Sequence, residues 1–222
     1  MAESMPDSRS GDPGSKASIR RRVPAGAPEQ TLAKIIIVTG TPGVGKTIIG
    51  KLLARKTGST FLSLGDIVRR NRLHKGFDRR SGSYIINERA VEKKLQKYFE
   101  DHREKGMVFE THFVSSIIHK TPGVVAVVLR LDPVVLARRL GARNWPKRKI
   151  WENVEAEIID LSLYDAFKVL GKTRVYEIDA TGKRPGNIVR EVLNVLSRKE
   201  GWSSKSNWLE KYDPILLSKR IL

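Results

Sequence analysis

The sequence predicts an α/β fold: a parallel sheet of five strands wrapped by helices on both faces. Two observations lead there. Short apolar runs alternate along the chain with longer stretches of helical periodicity, and a strand buried on both faces reads as a continuous apolar run. The first such run, residues 34–38 with Ile35, Ile36, Ile37 and Val38, leads into Gly40-Thr41-Pro42-Gly43-Val44-Gly45-Lys46-Thr47 and then a helix. Strand, glycine loop and helix is the context in which G-x-x-x-x-G-K-[ST] forms a phosphate-binding loop.

The remaining elements follow in order. The helix after the loop spans 48–56 and stops at Gly58. Residues 60–64 read as a second strand, and Gly65-Asp66 opens a short helix over 67–71. A basic stretch, 69–80, and a Ser81-Gly82-Ser83 loop come next. Val91, Leu95 and Tyr98 set a helix within 87–104. Residues 107–110 and 124–129 read as the third and fourth strands. Asp132-Pro133 supplies an N-cap and an N1 proline, for a helix ending near Gly141. Pro146 opens what reads as the longest helix, carried to about Leu170 by the stripe Ile150, Val154, Ile158 and Leu161 and stopped by Gly171. A fifth strand over 173–178 and an amphipathic helix over 187–198 complete the α/β pattern.

Composition bounds the rest. The 222 residues are 40% apolar and suffice for one domain with tails. Residues 1–31, polar and rich in Ser, Gly and Pro, read as a disordered tail that includes Arg20-Arg21-Arg22. Residues 201–222 combine Trp202, Trp208 and Tyr212 with basic groups and form a C-terminal extension that docks on the core or binds a partner. There is no cysteine, which excludes disulfides and thiolate metal sites and suits a cytoplasmic protein. No apolar run is long enough for a membrane span, and no secretory signal is expected. The net charge of +18 attracts polyanions such as nucleotides, RNA or acidic proteins, or serves solubility alone.

The chemistry centres on the loop. Its glycines let backbone N–H groups from Gly43 through Val44, Gly45, Lys46 and Thr47 converge on an anion, with the helix N-terminus adding to the field. Lys46 can reach the β- and γ-phosphates of a nucleoside triphosphate, and the Thr47 hydroxyl can ligate Mg²⁺. Glu110 and His112 leave the third strand together. An acid there can hold Mg²⁺ or its water, and a histidine can orient a water or meet a γ-phosphate. Between Arg138 and Lys149 lie six basic residues and no acid, which reads as a mobile lid that brings positive charge to a transferring phosphoryl group, or else as a solvated helix face.

Several of these elements together resemble a family. They are GTPGVGKT, Gly65-Asp66, Glu110-Thr111-His112, Leu129-Arg130-Leu131-Asp132-Pro133 and Glu152-Asn153-Val154-Glu155-Ala156-Glu157-Ile158. The family is that of the archaeal "putative adenylate kinases", with adenylate kinase isoenzyme six, the coilin-interacting nuclear ATPase, as eukaryotic relative. The resemblance spans about residues 34–198. It implies a nucleoside-monophosphate-kinase domain over 32–200, with an AMP-binding insertion at about 66–104 and a lid at about 139–152. It implies Asp66 and Arg69 at the AMP phosphate, Arg139 and Arg143 as a lid pair on ATP, and Gly182 in a loop beside the adenine. The chain departs from ordinary adenylate kinases by carrying Glu110-Thr111-His112-Phe113-Val114 in place of Asp-Gly-Phe-Pro-Arg, and so lacks a second AMP arginine. Its lid carries Arg143-Asn144-Trp145 where relatives have Arg-Gly-aromatic. The implied activity is Mg²⁺-dependent transfer from ATP to AMP, with ATP hydrolysis alongside. The implied wider role is maturation of small-subunit rRNA, with a small-subunit ribosomal protein and pre-rRNA as partners. An ATPase switch with little kinase turnover, and a binding module without turnover, are the alternatives the residues leave open.

Overall fold

The computed structural model describes residues 35–78, 83–102, 105–115, 123–198 and 206–222. The N-terminal tail, Arg79 to Gly82 and Trp202 lie outside them. Five parallel strands form one sheet: β1 (Ile35–Thr39), β2 (Thr60–Ser63), β5 (Met107–Glu110), β6 (Val124–Arg130) and β7 (Val175–Asp179), ordered β2-β5-β1-β6-β7. All five expected strands are present, within two residues at each end.

Alternation along the strands divides the core. Ile36 and Val38 of β1 face one side with Val108, Val127, Leu129 and Ile178. Against them pack α1 (Lys46–Thr57), α4 (Pro133–Gly141), α5 (Lys147–Ile158) and α7 (Pro185–Arg198). Ile35 and Ile37 face the other side with Phe109, Ala126 and Val128. There α2 (Leu64–Arg70), α3 (Glu88–Asp101) and α6 (Leu161–Leu170) complete the layer. Gly50 of α1 is required by a close approach, since a Cβ there would lie 2.6 Å from the Phe61 ring of β2.

Two features depart from the sequence-based expectation. The helix predicted from Pro146 to Leu170 is two helices. Asp160 sits between α5 and α6 in the left-handed region at φ 57°, a conformation that aspartate tolerates better than most residues. Its carboxylate takes a hydrogen bond from the Arg130 guanidinium, which holds the break. The second departure is an antiparallel hairpin, β3 (His74–Asp78) with β4 (Ser83–Ile86), inside the stretch read as basic loop. Phe77, Tyr84 and Ile85 on it are exposed, so no alternation of buried and polar residues announced it.

The last helices, α8 (Trp208–Lys211) and α9 (Pro214–Ile221), dock on the core. Trp208 and Leu217 are buried in the first core layer. Asp132, the N-cap of α4, accepts hydrogen bonds from Lys211 Nζ at 2.7 Å and the Tyr212 hydroxyl at 2.5 Å. Among the described residues no helix is long and apolar enough to cross a membrane.

Candidate active site

The phosphate loop leaves the C-terminal end of β1, where ligands collect in open parallel sheets. Its backbone needs glycine at two positions in particular. Gly43 adopts φ 99°, and a Cβ there would come within 2.8 Å of Leu140 and 2.9 Å of Leu136. Gly45 adopts φ 113° as the N-cap of α1. Lys46 is 4% exposed, and its Nζ donates to the carbonyls of Gly40 at 2.7 Å and Thr41 at 3.0 Å. Burial lowers its pKa to about 8, against the pull of Glu110 and Glu157.

Strand register brings Glu110 to this loop. In the β1–β5 ladder Val38 pairs with Glu110. The Thr47 hydroxyl donates to Glu110 Oε1 at 2.8 Å. Glu110 Oε2 is buried without a hydrogen-bond partner, and an unsatisfied buried carboxylate oxygen calls for a cation or a donor. One carboxylate and one hydroxyl fit Mg²⁺, a hard ion that takes few protein ligands alongside waters and phosphate oxygens.

His112 follows on a loop pinned from two sides. The Thr39 hydroxyl donates to the His112 carbonyl at 3.0 Å. Asp165 of α6, itself buried, accepts from the backbone N–H groups of Val114 at 2.5 Å and Ser115 at 3.2 Å. The His112 ring lines a cavity; burial first, then Lys46, pushes its pKa down to about 3. His112 as a whole is exposed, so solvent water screens the ring and moderates this shift. At neutral pH the imidazole is uncharged and can accept or donate a proton at one nitrogen.

That cavity, about 680 Å³, is lined by Gly43, Gly45, Lys46, Thr47, Glu110, His112 and Arg143 of the predicted residues. The sequence reading missed its other walls. Trp145, Lys149 and Asn153 come from the turn before α5 and from α5 itself; Leu64, Ile86, Phe113, Leu161 and Ser162 also line it. Lys149 lies in the acid-free basic run and stacks its ammonium 4.9 Å from the Trp145 ring, so charge density marked the segment without singling it out. Asn144 adopts φ 56°, a left-handed turn that asparagine tolerates better than most residues.

Other predicted residues lie elsewhere. Val44 turns its side chain into the core. Arg139 donates from Nη1 to the Val44 carbonyl at 3.2 Å, bracing the loop from α4. Asp66 and Arg69 pair with each other at 2.5 Å on the surface. Asp66 lines a separate, smaller cavity of about 230 Å³ with Lys51 and Arg70. Gly182, at φ 68°, follows Thr181, whose hydroxyl accepts from the Asp132 N–H at 2.8 Å. Neither Arg69 nor Gly182 lines the main cavity.

Comparison with known proteins agrees with this architecture. Residues 36–160 match the family model described as AAA domain. The chain is 34% identical over 177 residues to the "Putative adenylate kinase" of Methanocaldococcus jannaschii, covering 80% of this chain and 94% of that protein. It is 36% identical to the protein of the same name from Thermococcus kodakarensis, covering 82% and 97%. Among solved structures, the shikimate kinase of Bacteroides thetaiotaomicron aligns with a TM-score of 0.51 and 19% identity, over 73% of this chain and 97% of that one. The fold is that of a P-loop kinase.

Proposed function

The chain belongs to the archaeal "putative adenylate kinase" family, and on that premise we propose that it transfers the terminal phosphoryl group of ATP to AMP, giving two ADP. One observation carries the proposal. A single cavity brings together phosphate-loop amides, a buried lysine, a carboxylate with an orphaned oxygen, and cationic groups from the segment before and within α5.

Each residue then has a physical task. The amides from Gly43 to Thr47 and the Lys46 ammonium hold the β- and γ-phosphates. Thr47 and Glu110 would hold Mg²⁺, which would supply positive charge to offset that of the phosphates. Arg143 and Lys149 face the transferring group across the cavity and stabilise the charge that spreads over it. Arg139 sets the height of the loop through Val44 and contacts ATP as the lid of residues 139–152 closes. Gly182 flanks the adenine. The insertion at 66–104 takes AMP, with Arg69 swinging from Asp66 to the AMP phosphate. That exchange is inexpensive, because an exposed ion pair contributes at most about 1 kcal/mol. The test mixes ATP, Mg²⁺ and each nucleoside monophosphate in turn. ADP formation that rises with AMP supports the reading, and ADP formation indifferent to AMP refutes it.

A second reading rests on the place of Arg69, on the surface and outside the cavity lining. Here water is the acceptor, oriented by neutral His112, and hydrolysis drives a switch in small-subunit rRNA maturation. The charge of +18 suits contact with pre-rRNA and a small-subunit ribosomal protein in the cytoplasm. His112→Ala tests the hydrolytic role: an unchanged basal ATPase rate removes it.

A further inference from the structure

The motif Glu152 to Ile158 contains a residue that no site role above uses. Glu157 lies on the last turn of α5 and is 1% exposed. Its Oε2 accepts the hydroxyl proton of Thr41, the first residue after Gly40 in the phosphate loop. Its Oε1 accepts from Arg130 Nε at 2.9 Å, the Leu131 N–H at 3.0 Å and Trp208 Nε1 at 3.3 Å. Both oxygens are therefore occupied, in contrast to Glu110.

We infer that Glu157 is a positioning residue: it fixes the Lys46 ammonium by holding Thr41. The inference rests on the reading that the loop holds the phosphates of ATP. Thr41 is tied twice. Its hydroxyl is held by Glu157, and its carbonyl accepts from Lys46 Nζ at 3.0 Å. Where Glu157 places the Thr41 side chain, the Thr41 backbone follows, and that backbone supplies one of the two carbonyls that aim Lys46. Hydrogen bonds to an ionised acceptor are the stronger kind, and inside the protein little water competes for them.

Arg130 makes the arrangement sustainable. Its side chain, 1% exposed, also donates to Glu177 at 3.1 Å and to the Glu157 carbonyl at 2.8 Å. Burial opposes the guanidinium charge, but Glu157, Asp160 and Glu177 together raise its pKa. Glu157 is thus paired at 2.9 Å with a buried, fixed cation. Because Asn153 and Ala156 of the same helix line the cavity, Glu157 also sets the distance between α5 and the phosphate loop. It does so from behind the loop, without touching the nucleotide.

The test uses the full chain and measures Mg·ATP affinity at about 25 °C, together with the melting temperature of the ligand-free protein. Thr41→Val keeps the shape and deletes the donor. We expect Kd for Mg·ATP to rise roughly tenfold or more, and Thr41→Ser to restore it to within about threefold of the parent. Glu157→Gln should weaken binding similarly, and the double variant Thr41→Val/Glu157→Gln should be no weaker than Glu157→Gln alone, because both act through one bond. A fall in melting temperature with Kd unchanged would show support of packing only and would overturn the inference. Additive losses in the double variant would overturn it as well. A parent that binds Mg·ATP yet leaves AMP unphosphorylated would refute the kinase reading while the cycle still reads out Glu157. A parent that does not bind Mg·ATP would refute both.

Discussion

Lys46 makes ATP affinity a function of pH, in a direction and size the structure sets. Its ammonium is buried among loop carbonyls and its pKa falls to about 8. In the free protein a growing fraction of Lys46 is therefore neutral above that pH. Bound phosphates hold the charged form, so binding above pH 8 must draw in a proton. Affinity scales with the fraction of free protein already charged, so Kd rises roughly tenfold between about pH 7 and about pH 9. The Mg²⁺ complex of ATP is fully ionised over this range, and His112, neutral at both ends, adds nothing. Ligand-free stability moves the other way. The folded pKa lies below the ordinary 10.5, so the cost of burying the charge is present below about pH 8 and is relieved as pH rises towards 10.5, by roughly 3 kcal/mol in all. Titration calorimetry in two buffers of different ionisation enthalpy measures the affinity and the proton uptake together. A Kd constant across the range, with no proton taken up at its upper end, would refute the argument.

Further outcomes follow from the same geometry. Arg130→Ala removes the buried cation that pairs with Glu157 and Glu177 and should lower unfolding free energy by about 3–5 kcal/mol in urea denaturation. Gly43→Ala forces a Cβ against Leu136 and Leu140 at a backbone angle that L-residues rarely adopt; ATP binding should be lost in direct titration, with the circular dichroism of the sheet retained. Asp165→Ala frees the N–H groups of Val114 and Ser115 and loosens the His112 loop, so turnover should fall by more than ATP affinity does. Asp132 is held below the usual carboxylate range; burial works the other way, but hydrogen bonds from Lys211 and Tyr212 and the Val135 N–H prevail. Its share of stability is present above the ordinary carboxylate pKa and lost as pH falls through the depressed one. Asp132→Asn should therefore flatten the acid limb of a melting curve.

The sheet was legible chiefly from the apolar runs of β1 and β6, Ile35 to Val38 and Val124 to Leu129. The phosphate loop was legible because glycines, lysine and threonine stand at fixed spacing between a strand and a helix. Glu110 and His112 could be read from their place at a strand end. What escaped were contacts across long separations and local backbone choices. Thr41 meets Glu157 across 116 residues, and no local pattern encodes that. Asp160 breaks a continuous apolar stripe without glycine or proline, for reasons that lie in Arg130, thirty positions earlier. The β3–β4 hairpin leaves its aromatic residues outside, so burial could not reveal it. For the C-terminal helices, apolar content suggested docking, but the partners, Asp132 and Glu157, appear only in three dimensions.

The central claim is that phosphate leaves ATP for AMP within the cavity between the phosphate loop and α5. Phosphorus NMR of the full chain with Mg²⁺, ATP and AMP reads it directly, since ADP and inorganic phosphate resolve from one another. Two ADP formed for each ATP consumed, with no inorganic phosphate appearing, is the predicted result. One ADP and one inorganic phosphate for each ATP, with AMP undiminished, would contradict it.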